Sequence, residues 1–169
     1  MSNYDRTTRE CSVAQLHPEL RQAIREYFKE HNLGDPEAES LMCCETISEK
    51  KDAGKLASWL NDESDTTIHT GMLLTPQLFI WVHKGNQSET VLHAASLKEI
   101  RVSAYEPLLS KKPGLEIAGF IETTKSQARG HIGMGPEAAT QKFGQAVQEA
   151  IAELNPPSKR RGLFKWLRN

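Results

Sequence analysis

Apolar residues along this chain change period twice, and the changes divide it into elements. Leu20, Ile24 and Phe28 recur every four residues, with Ala23 and Tyr27 widening the stripe. This is one face of an amphipathic helix over residues 17 to 32, with Pro18 at its first position and Gly34 placed as its terminating glycine. From Leu41 the period shortens to two. Leu41 to Ser48, Thr66 to Leu74, Leu78 to Lys84, Glu89 to Ala94, Leu97 to Tyr105, Leu115 to Thr123 and Ala128 to Met134 read as seven short strands. Ile68, Thr70 and Met72 share one side of the second strand. In the third, Leu78, Ile80 and Val82 face one way and Phe79 and Trp81 the other. Thr75-Pro76-Gln77 and Gly85 to Ser88 supply turns. Helical spacing returns at Pro136 and Glu137 and runs to about Leu154, with Phe143, Val147, Ala150 and Leu154 on one face. Asn155-Pro156-Pro157 stops that helix.

Seven closely spaced antiparallel strands before one amphipathic helix predict an α+β barrel or sandwich closed by the helix. The order, and the segments GMLLTPQLFIWV (Gly71 to Val82) and VLHAASLKEIRV (Val91 to Val102), resemble the bacterial pleckstrin-homology-like (PH-like) domains. The resemblance covers residues 38 to 154. It implies a seven-stranded bent sheet or barrel plugged by residues 136 to 154, and a binding or scaffolding module rather than an enzyme. The chain then divides into a disordered stretch at 1–12, an N-terminal amphipathic helix at 13–34, the PH-like domain at 38–154, and a proline hinge with a tail at 155–169. The added helix is expected on the barrel exterior or at a dimer contact.

Charge sets the tail apart. The chain of 169 residues sums to -1, so the tail Lys159 to Asn169 carries +5 and everything before it -6. If Arg161 to Arg168 is helical, Leu163, Phe164, Trp166 and Leu167 fall within an arc of about 160°. Arg161, Lys165 and Arg168 fall opposite, and Lys159 and Arg160 precede them. Such a segment suits the surface of an anionic membrane, with weak attachment that salt loosens. A protein partner, docking on its own domain and disorder are the other readings. A second candidate is the loop 49–65, where Leu56, Trp59 and Leu60 sit at helical spacing beside Lys50, Lys51 and Lys55. It would form a second membrane contact, a ligand lid or a cap over the barrel mouth. PH-like domains that bind lipid carry a dense basic pattern in the matching loop. Here Asp62, Glu63 and Asp65 interrupt it.

Catalytic signatures are missing. GHIGMG (130–135) has the wrong glycine order for a phosphate loop and reads as a strand bend leading into a helix. The six histidines (17, 31, 69, 83, 93 and 131) lack metal-site spacing, although His69, His83 and His93 could meet across a sheet. A deep pocket lined by them would favour an enzyme. Cys11, Cys43 and Cys44 show neither a disulfide framework nor metal spacing. Arg101, Lys111, Lys112, Lys125 and Arg129 are interspersed with acids, and the acidic body argues against nucleic acid. The sequence therefore predicts a cytoplasmic, non-enzymatic module without cofactor or metal, peripheral to a membrane through its tail. The alternative is a protein-interaction or homo-oligomerisation unit docking through the tail or the N-terminal helix.

Overall fold

A computed structural model of the chain describes residues 4–51, 65–104 and 113–156. The fold is α+β, with two antiparallel sheets and a C-terminal helix. The first sheet has the order β1-β2-β3-β4-β5, from Tyr4–Glu10, Met42–Lys50, Thr67–Leu74, Leu78–Gly85 and Val91–Ser96. The second is β6-β7-β8, from Ile100–Ala104, Gly114–Ile121 and Ser126–Gly133. A 3-10 turn (Val13–Gln15), α1 (Pro18–Glu30) and α2 (Pro36–Glu39) lie between β1 and β2, and α3 (Ala138–Leu154) closes the order.

The period-two pattern of β2 to β5 is apolar on both faces because both are covered. Cys43, Leu73, Ile80, Val82 and Ala94 face α1, whose Leu20, Ile24, Tyr27 and Phe28 are buried against them with Val13 and Leu16. Cys44, Met72, Leu74, Phe79, Trp81 and Ala95 face the other way, toward the second sheet and α3. There Phe143 is wholly buried, with its ring 5.8 Å from that of Phe79. The helix stripe is thus used inside the chain, and Leu20, Ile24 and Phe28 offer no surface to a partner.

Three expectations need correction. Residues 4 to 10 are a strand, not a disordered lead. The whole of β1 pairs with β2, from Tyr4 opposite Lys50 to Glu10 opposite Cys44. It is polar because it is an edge strand of which only Thr8 is buried. Its anchors are distant. The Thr8 hydroxyl meets that of Thr46 at 2.7 Å and accepts from the Gly135 N–H at 2.8 Å. The Thr8 N–H donates to Glu137 Oε2 at 2.8 Å. Gly135 is required there, since a Cβ would lie 2.9 Å from the Thr8 nitrogen and 2.7 Å from the Arg6 carbonyl oxygen.

Second, among the described residues the strands form no closed barrel. The sheets meet at their corners through isolated bonds instead of a continuous ladder. One corner is the Thr8, Gly135 and Glu137 set. The other is the Glu122 N–H, just past β7, donating to the Ala94 carbonyl of β5 at 2.8 Å. Third, the left-handed residue that closes α1 after Glu30 is Asn32 rather than Gly34. Asn32 takes φ 53° and the Leu33 N–H returns to the Phe28 carbonyl at 2.9 Å. That is a Schellman end with asparagine in the left-handed position.

Candidate functional site

A cleft of about 250 Å³ opens between β4 and β5 of the first sheet and β7 and β8 of the second. Its origin is a run of small side chains. Ala128, Gly130 and Ile132 share the inward face of β8 by alternation. Ile132 fills its place in the core, whereas Ala128 and Gly130 do not. A Cβ built on Gly130 meets nothing within 4 Å. The opposite wall is Trp81 and His93, stacked with ring centroids 5.2 Å apart, and His83 stands edge-on to His93 at 6.1 Å. Ile117 and Ile121 supply apolar lining.

His83 is the most perturbed of the polar groups that line the cleft. Its Nδ1 is 3.0 Å from the Thr70 hydroxyl oxygen. Burial pushes its pKa down to about 4, with the neighbouring His93 adding to the shift. Burial also lowers His93. Near neutral pH the wall therefore carries uncharged imidazole at His83. Arg129 and His131 line the cleft as well, but the Arg129 guanidinium forms an ion pair with Glu116. No serine, cysteine or carboxylate is among the described lining residues. The Thr124 hydroxyl is engaged by Ser126 and the Ile121 carbonyl.

His69 does not join this group. It belongs to a cluster around Glu45, which is 2 % exposed. Glu45 Oε2 accepts from Arg9 at 2.5 and 3.2 Å, and Oε1 from the His17 backbone N–H at 3.2 Å and His69 Nδ1 at 3.3 Å. The His17 and His69 rings lie 4.3 Å apart. This cluster ties β1, β2, β3 and the entry to α1 together. Its signal in the sequence is a lone acid in the otherwise uncharged segment Met42 to Ser48.

A second hollow, about 390 Å³, lies beside the C-terminal half of α1 and the β3–β4 turn. Tyr27 lines it, hydroxyl 3.5 Å from Glu122 Oε2. Burial and then Glu122 push that phenol up to about 12, so it stays protonated.

Of the sequence-derived candidates, Lys50 and Lys51 lie at the end of β2, where Lys51 pairs with Asp5 at 2.7 Å. Lys55, Leu56, Trp59 and Leu60 lie outside the described residues, as do Lys159, Arg160, Arg161, Leu163, Phe164, Lys165, Trp166, Leu167 and Arg168. Lys111 and Lys112 do too. The GHIGMG glycines serve the β8 wall and the corner with β1. Among the described residues no group of three His, Cys, Asp or Glu is placed to hold a metal ion. Nor is any helix there long and apolar enough to cross a membrane. The cleft itself was not foreseen, because it is made by what Ala128 and Gly130 lack. No family model, curated protein or solved structure matches the chain.

Proposed function

We propose that the chain is a non-enzymatic binding module of PH-like architecture, held at an anionic membrane surface by its basic, aromatic tail. The architecture is supported by element order: β2 to β5 as one antiparallel sheet, β6 to β8 as a second, and α3 packed against both. β1 and α1 are additions to that plan.

The observation that carries the binding reading is the chemistry of the cleft. It joins an aromatic wall, apolar lining and neutral imidazole at His83, with no serine, cysteine or carboxylate among its described lining residues. A His83 held mostly neutral to about pH 4 is a weak general base. The same surroundings suit a compact, uncharged aromatic or aliphatic group stacked on Trp81 and His93. Membrane attachment rests on the +5 tail set against the -6 body.

The two halves are tested separately. Full-length protein and a chain ending at Ser158 are sedimented with vesicles of phosphatidylserine and phosphatidylcholine. The full chain pellets and releases with salt; equal pelleting of both chains overturns the membrane half. The cleft is titrated with the uncharged fluorophore N-phenylnaphthylamine, comparing the native chain with Gly130→Leu. The added side chain enters open space on the inward face of β8. Fluorophore binding that survives this filling overturns the cleft as the seat.

A further inference from the structure

The three cysteines take no part in the cleft, and all are thiols. Two of them oppose each other. The β1–β2 register runs to Glu10 opposite Cys44, and one step further the Cys11 N–H donates to the Cys43 carbonyl at 3.0 Å. Directly opposed residues of a hydrogen-bonded antiparallel pair have Cα atoms about 5.5 Å apart, within the range of about 4.4–6.8 Å that a disulfide spans. Both side chains lie on the α1 side of the sheet, whereas Cys44 points into the core with Phe143. The thiols of Cys11 and Cys43 are hydrogen-bonded to each other.

The two thiols differ in kind. Cys11 is partly exposed at the end of an edge strand, and Cys43 is 3 % exposed. The Cys43 hydrogen bond, and then the Arg9 charge, hold the Cys11 thiol below its ordinary range. Donating that bond, together with burial, pushes the Cys43 thiol up. The accessible sulfur is therefore the one that forms thiolate, and the buried one keeps its proton.

We propose that Cys11 is an oxidation site for hydroperoxides and that Cys43 resolves it, closing a disulfide that staples β1 to β2. The Cys11 thiolate attacks one peroxide oxygen. The O–O bond breaks, and the leaving hydroxide takes a proton from solvent to become water. Cys11 is then a sulfenic acid, oxidised by two electrons. The Cys43 sulfur attacks that of Cys11 as its proton leaves. The S–S bond forms, the S–O bond breaks, and the departing hydroxide becomes a second water. One hydrogen peroxide is reduced to two waters as two thiols become one disulfide. Cys43 needs no path to solvent, because its partner sulfur is already beside it. The closed loop holds α1 and α2, so the oxidised chain loses unfolded-state freedom and melts at a higher temperature.

The test is treatment of the full chain with hydrogen peroxide, followed by intact mass measurement and non-reducing peptide mapping. The expected result is a loss of about 2 Da, reversed by dithiothreitol, with Cys11 linked to Cys43. Cys44→Ser leaves this unchanged and Cys11→Ser abolishes it. In Cys43→Ser the oxidation stops at a Cys11 sulfenic acid that dimedone traps. The native chain decides the matter even where Cys43→Ser does not fold. A bond to Cys44, a bond between chains, or a Cys11 that is oxidised without any disulfide overturns the proposal.

Discussion

Acid should destabilise this protein through His83, and the size of the effect follows from its surroundings. Folding lowers the His83 pKa from 6.5 to about 4. The unfolded chain therefore binds the proton more readily than the folded one. Stability is complete above the unfolded value and declines as the pH falls from there toward about 4. Each pKa unit corresponds to about 1.36 kcal/mol, so the full loss approaches about 3 kcal/mol, and about 2 kcal/mol of it falls between about pH 7 and about pH 5. His93 shifts in the same direction and adds to the slope. Isolating His83 takes a variant that keeps a hydrogen-bonding side chain but cannot titrate, which is His83→Gln. Urea denaturation of both chains across this window measures the difference. The native chain should lose about 2 kcal/mol more than the variant, with little change in the urea slope. Parallel pH profiles for the two chains would refute the burial argument and, with it, the neutral cleft wall.

Two further perturbations probe how the sheets are joined. Phe143→Ala removes a wholly buried ring packed on Phe79 and should cost about 3–5 kcal/mol, or roughly 6–20 °C in melting temperature by calorimetry. A loss below about 1 kcal/mol would mean that α3 does not tie the sheets together. Thr8→Val keeps the shape but leaves the Gly135 N–H without its acceptor, which should cost about 1–3 kcal/mol in urea titration. No loss would show that β1 is not latched to the α3 entry.

How much of this was legible depended on how local each cause is. The β3–β4 hairpin was clear because Leu78, Ile80 and Val82 alternate with Phe79 and Trp81, and burial on both faces preserves that pattern in the sequence. The α1 stripe was equally local. β1 was not, because its one buried side chain is held by Thr46 and Gly135, far away in sequence. A polar edge strand with distant anchors has the composition of a disordered end. The α1 terminus was misread for a related reason: Gly34 does take a left-handed φ of 87°, but Asn32 takes one first and closes the helix.

The cleft shows the same limit in its sharpest form. A sequence is read for groups that act, and GHIGMG, without the glycine order of a phosphate loop, reads as no more than a strand bend. What Gly130 contributes is room, and room has meaning only once Trp81 and His93 are known to stand opposite. The histidine pairing was half right for that reason. His83 and His93 sit on neighbouring strands, with His83 opposite Val91 and His93 opposite Trp81, so one register step brings them together. His69 is on β3 opposite Ile47 and Lys84, where its ring reaches Glu45 instead. Three histidines that share a sheet thus divide between a buried charge cluster and an apolar wall. That division leaves His83 and His93 on one wall of the cleft, which His131 lines from β8, and sends His69 to the buried Glu45 carboxylate.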